Sequence, residues 1–154
     1  MELPVINHPD YVAKINDDNK FPIKKFGALA KHLKDFKIVK NFHIPKECSI
    51  QTMSSSHSLE YINHIKNKTL NLQAQKKIGF PINDSVVRRS FVATGGTVLA
   101  SKIALDTRLA CNTAGGSHHA TFNYGAGYCV FNDVAVAANY LKNKGYAKKI
   151  LILD

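Results

Sequence analysis

The chain has 154 residues, 45% of them apolar, and a formal net charge of +10. That length fits one domain, and no stretch nears the ~20 apolar residues that a membrane-spanning helix needs. The N-terminus, MELPVINHPDYVAK, carries Glu2 and no apolar core segment, which argues against a signal peptide and points to the cytoplasm.

Residues 3–7, LPVIN, read as a first short strand. In PIKKFGALAKHLKDFK, residues 22–37, Ile23, Phe26, Leu29, Leu33 and Phe36 recur at helical spacing with lysines opposite, and Pro22 suits the first turn. SSSHSLEYINHIKNK, residues 54–68, reads as a second helix. Ser55 or Ser56 is its expected cap, and Leu59, Ile62 and Ile65 its buried stripe. Residues 69–84 carry turn signals at Gly79, Pro81 and Asn83 and are expected to be loop.

A long helical pattern then spans 84–106, with Asp84 or Ser85 as cap. Gly95 and Gly96 fall in its middle. Two helical glycines cost about 1 kcal/mol each against alanine, so another backbone is expected to approach there. RLACNTAGG, residues 108–116, reads as a strand running into a glycine loop. NDVAVAANYLKNKG, residues 132–145, is a helix capped by Asn132 and closed by Gly145. AKKILILD, residues 147–154, has the continuous apolar pattern of a strand buried in a parallel sheet. The second half is therefore expected to be a βαβ unit, with its glycine loop at the carboxyl edge where open α/β sheets bind ligands.

That loop holds His118 and His119. Adjacent side chains diverge, so both rings face one cavity only if the backbone bends, as Gly115 and Gly116 permit. Two imidazoles near pH 7 suit proton transfer, and each needs an acceptor to fix its tautomer. Asp154, at the same sheet edge, is the candidate acceptor for one of them. His8, His32, His43 and His64 read as structural, and His57 as structural or loop-orienting. Ser117 lacks the context of a nucleophile elbow, and the glycines lack a Walker lysine. Cys48, Cys111 and Cys129 show no metal or disulfide spacing and are expected as reduced thiols. The lysines are scattered (Lys24, Lys25, Lys76, Lys77, Lys148 and Lys149, for example), so the charge reads as solvated surface rather than a nucleic-acid face.

TAGGSHHATFNYGAGYCVFNDVAVAA closely resembles the signature of the histone deacetylase family, its bacterial and class IV-like branches included. Its pattern is G-G-x-H-H followed by G-[FY]-C-x-x-N-D. The helix with paired glycines and the His-x-x-x-Tyr segment SSHSLEYINHIKN resemble the family too, and ILILD resembles the start of its D-x-D-x-H strand. The resemblance implies an arginase/deacetylase-like α/β fold, a parallel sheet flanked by helices. It also implies zinc-dependent hydrolysis of acetyl-lysine or a small acetylated amine. His119 would be general base and acid, and His118 would stay charged or polarised, paired with Asp154. The Gly127 carbonyl would accept the substrate amide hydrogen, and Tyr128 would form an aromatic tunnel wall. Asp84 lies in the region of the family's acidic rim residue.

The zinc ligands of the family pattern come from D-x-D-x-H and a later Asp, which residues 1–154 do not contain. The chain is therefore expected to be the N-terminal portion of a single deacetylase domain, incomplete in fold and inactive alone. Alternatives are half of a split enzyme completed by a C-terminal chain, or a non-enzymatic basic binding module.

Overall fold

The computed structural model of the chain describes residues 3–154. β1 (Val5–Ile6) and β2 (Cys111–Asn112) pair in parallel, with Val5 opposite Cys111 and Ile6 opposite Asn112. A parallel bridge from Ile6 to His43 adds a third extended segment on the other side of β1. The helices are α1 (Lys25–Asp35), α2 (Ile50–Met53), α3 (Leu59–Lys66), α4 (Leu72–Ile78), α5 (Asp84–Thr107) and α6 (Asp133–Asn143). Among the described residues no helix is long and apolar enough to cross a membrane.

The 24-residue α5 is the spine. Val86, Phe91 and Val92 bury one side of it, where Tyr11, Met53 and Phe131 meet them in a single core. A Cβ added at Gly95 would lie 2.0 Å from the Lys46 carbonyl oxygen, so the expected backbone approach is present. At Gly96 the neighbour is a side chain: an added Cβ would sit 2.1 Å from the Tyr11 hydroxyl.

Several local expectations need correction. α3 starts at Leu59 and is capped by Ser58, whose hydroxyl accepts from the Tyr61 N–H at 3.2 Å. Ser55 instead closes the turn after α2, donating to the Thr52 carbonyl at 2.7 Å. Leu59 is exposed, and Tyr61 joins Ile62 and Ile65 in the core in its place. α5 is capped by Asn83, because the Ser85 hydroxyl is taken by the Lys14 N–H. Residues 69–84 contain α4, capped by Asn71 and closed by Gly79 at φ +88°, so the glycine read as a loop signal is a helix stop. The outer part of the α1 stripe, Leu29 and Phe36, is exposed.

The largest departure is at 147–154. The segment forms no strand, and Leu151 and Leu153 are 81% and 86% exposed. A strand apolar on both sides is buried when neighbours flank it and helices cover its faces. Residues 3–146 do not supply that cover. The βαβ unit is thus present as strand, loop and helix, without its second strand.

Gly95→Ala is expected to destabilise the protein by about 2–3 kcal/mol, since the added methyl meets backbone that cannot rotate away. Gly27→Ala, whose Cβ would meet only the Val12 side chain at 3.2 Å, should stay within about 1 kcal/mol of the parent. Urea denaturation of the two variants measures the contrast.

Candidate active site

The glycine–histidine loop leaves the carboxyl end of β2 and is fastened before either imidazole is reached. Asp133, the first residue of α6, is buried, and its carboxylate accepts from the Ser117 N–H at 2.7 Å and the Gly116 N–H at 3.1 Å. The Thr97 hydroxyl of α5 donates to the same carboxylate. Asn132 holds the other side. It caps α6 through the Ala135 N–H, and its Nδ2 donates to the carbonyls of His118 and Ala120, both at 3.1 Å. Asn132 was expected as a cap, and its grip on the histidine loop is additional.

Beyond these fasteners the two rings stand close, with centroids 4.1 Å apart and planes at 42°. His118 Nδ1 lies 3.0 Å from the Gly116 carbonyl oxygen, and Nε2 lies 3.5 Å from an Asp154 carboxylate oxygen. Both nitrogens thus face acceptors. The His119 ring rests against Gly127, where a Cβ would come within 3.0 Å of its Cδ2. Gly127 and Tyr128 both have positive φ, +54° and +65°. Their amides donate to the Lys77 and Ile78 carbonyls at the end of α4. The Tyr128 ring packs on Phe21 and Phe80, with centroids 5.0 and 5.4 Å away.

His118, His119, Gly127 and Tyr128 line one cavity of about 260 Å³, shared with Phe21 and Arg89. Asp154 is at its edge through His118. Asp84 is not there: its carboxylate pairs with Lys68 at the start of α5.

Sequence reasoning missed two buried charges at this site. One is Asp133, whose signal was an acid in the first turn of a helix, directly after a capping Asn. The other is Arg89, whose Nε donates to the Tyr11 carbonyl at 3.0 Å and whose guanidinium lies 4.8 Å from the Phe26 centroid. Burial lowers the Arg89 pKa to about 10, against the opposing pull of Asp133. Cys48, Cys111 and Cys129 are free thiols, and burial pushes the Cys48 thiol up to about 12. Among the described residues, no three His, Cys, Asp or Glu side chains converge as a metal ion requires. The donor set present does not by itself fit the zinc ion that the sequence resemblance implies.

A family profile described as the histone deacetylase domain matches residues 20–154. An uncharacterized protein of Picosynechococcus sp. is 38% identical over 156 residues, covering 100% of this chain and 52% of its own length. Histone deacetylase 2 of Arabidopsis thaliana is 27% identical over 150 residues, covering 87% of this chain and 37% of that protein. Crystal structures of an HDAC homolog complexed with SAHA and of an HDAC homolog from Aquifex aeolicus superpose with TM-scores of 0.77 and 0.76. Both are 22% identical, over 95% of this chain and 42% of theirs, and the likeness is one of fold. The chain thus spans about half the length, or less, of the proteins it matches.

Asp133→Asn replaces one acceptor oxygen with a donor that opposes an N–H or hydroxyl of the loop clamp. The expected loss is about 1–3 kcal/mol of stability, with faster amide exchange at Gly116 and Ser117 than in α5. Urea denaturation and residue-resolved hydrogen exchange check both parts.

Proposed function

The chain belongs to the histone deacetylase family, and from that premise we propose that residues 1–154 carry the acid–base half of a deacetylase site. The observation that carries this reading is the shared cavity: both imidazoles, Gly127 and the Tyr128 ring face one space. The proposed substrate is acetyl-lysine or a small acetylated amine, the half-buried Tyr128 ring lying along its methylene chain. The reaction is amide hydrolysis. Water adds to the acetyl carbonyl, the C–N bond breaks, and acetate and a free amine leave.

In this proposal the exposed His119 imidazole takes the proton of the attacking water and returns one to the departing nitrogen, a role worth ~10²–10⁴ in rate. His118 gives electrostatic support, with Asp154 beside its Nε2. The Gly127 carbonyl accepts the substrate amide hydrogen. At present that oxygen is approached by the Cys129 thiol at 3.5 Å, a weak contact that a substrate amide would displace.

The zinc ion that the family resemblance implies would be held by residues outside these 154, on the same polypeptide or another. The exposed apolar segment Ile150–Leu153 favours such a partner strand beside it. Cytoplasmic residence belongs to the same proposal.

Residues 1–154 alone are expected to leave an acetyl-lysine peptide intact with or without added zinc. Activity should appear when a chain carrying the D-x-D-x-H continuation is added, and should fall at least ~100-fold in that mixture with His119→Ala. Zinc-dependent turnover by 1–154 alone, or an unaffected His119→Ala mixture, would overturn the reading.

A further inference from the structure

His57 precedes α3, is fully buried, and has no part in the chemistry assigned above. Its Nδ1 lies 2.8 Å from the Thr121 carbonyl oxygen, and its Nε2 lies 2.9 Å from the Asn132 backbone nitrogen. A carbonyl only accepts and a backbone N–H only donates. The partners therefore fix the ring as the neutral tautomer with its proton on Nδ1. The two anchor points bracket the histidine loop. Thr121 follows it by two residues, and Asn132 grips the carbonyls on either side of the His119–Ala120 pair.

We propose that His57 is a positioning residue for His119, acting through Thr121 and Asn132, and that only its neutral, Nδ1-protonated form does so. This deepens the proposed acid–base role of His119 and rests on it. Protonation at Nε2 would set an N–H against the Asn132 N–H. The groups facing the ring are Tyr61 from α3, Phe131 and the Asn132 amide from the approach to α6, and the Thr121 and Phe122 carbonyls of the loop. None supplies a counter-charge to an imidazolium. Burial lowers the His57 pKa, and the two carbonyls oppose that shift in part.

The sign of the linkage follows. A histidine whose folded pKa is depressed contributes stability that is present above its unfolded value of about 6.5. That contribution is lost as pH falls below 6.5 towards and through the folded value, because the unfolded chain takes up a proton that the folded one resists. The loop clamp should accordingly hold at neutral pH and open in acid.

The experiment uses the 154-residue chain with isotope-labelled histidine, comparing the parent with His57→Phe and His57→Gln. Phenylalanine keeps the ring packing and loses both hydrogen bonds. Glutamine can still accept from the Asn132 N–H. In the parent, nitrogen shifts should report the Nδ1–H tautomer at neutral pH, with titration only in acid. In His57→Phe the His119 ring signals should broaden or split, and amides 118–121 should exchange about tenfold faster. Protection in α5 should stay as it is. His57→Gln should restore a single His119 environment.

An Nε2–H tautomer in the parent, or an unchanged His119 in His57→Phe, overturns the proposal. If His57→Phe fails to fold, the parent tautomer and the His57→Gln spectrum decide alone. These readouts need no turnover. A failed deacetylase assay with an intact clamp therefore sinks the functional reading and leaves the positioning claim, and the reverse pattern does the opposite.

Discussion

Much of the molecule's order around the cavity depends on the buried carboxylate of Asp133. Taking an ion out of water costs several kcal/mol unless its lone pairs are filled and a counter-charge is near. Here both oxygens accept hydrogen bonds from the loop, Thr97 adds a third, and the N-terminus of α6 presents its positive dipole end. Arg89 supplies the opposite charge. The linkage extends outward. Thr97 also accepts from Asn112 Nδ2, Asn112 accepts from the Tyr11 hydroxyl, and the Tyr11 carbonyl accepts from Arg89. One polar chain thus ties the segment after β1, β2, α5 and α6 to the loop that carries the histidines. No buried side-chain polar atom among the described residues lacks a partner, which fits a network closed on itself.

At the cavity itself, backbone strain falls on the opposite wall. A tyrosine at φ +65° is a rare conformation that costs on the order of 1–2 kcal/mol. Two things offset it. The Tyr128 N–H donates to the Ile78 carbonyl at 2.7 Å, and the ring fits between Phe21 and Phe80. Gly79, itself left-handed, leaves room for that ring, since a Cβ there would stand 2.7 Å from it. The helix stop of α4 and the strained tyrosine are therefore one device: ending the helix on glycine is what lets the aromatic wall approach.

This explains how much of the site was legible in the sequence. The long periodic helix, the helix after Asn132 and the glycine loop were readable because each is decided locally, by spacing, cap and backbone freedom. The histone deacetylase resemblance also lay in contiguous motifs. α2 and α4 were not readable, since four and seven residues carry too little periodicity and each depends on one cap. Asp133 and Arg89 were missed for a different reason. A charged residue in a helix reads as solvent-facing until the fold shows what surrounds it, and their partners lie 16 or more residues away. At 147–154 the apolar pattern pointed to a strand with burial on two sides, and the segment has neither. The pattern could not report whether residues 3–146 supply that burial.

The exposure pattern at that segment bears on its contact with the histidine loop. Ile150, Leu151, Ile152 and Leu153 are 38%, 81%, 54% and 86% exposed, an alternation with the two-residue period of a strand. Ile150 and Ile152 are the more covered pair, and Leu151 and Leu153 stand open to solvent. The segment meets the loop at the His118–Asp154 approach, and both side chains there are well exposed. An exposed ion pair is worth at most about 1 kcal/mol and weakens with salt. Covering the apolar residues would also take water from the same pair, which strengthens the Coulomb attraction of a protonated His118 and adds a desolvation cost that opposes it. The balance of those two terms decides whether cover over Leu151 and Leu153 strengthens or weakens the His118–Asp154 approach.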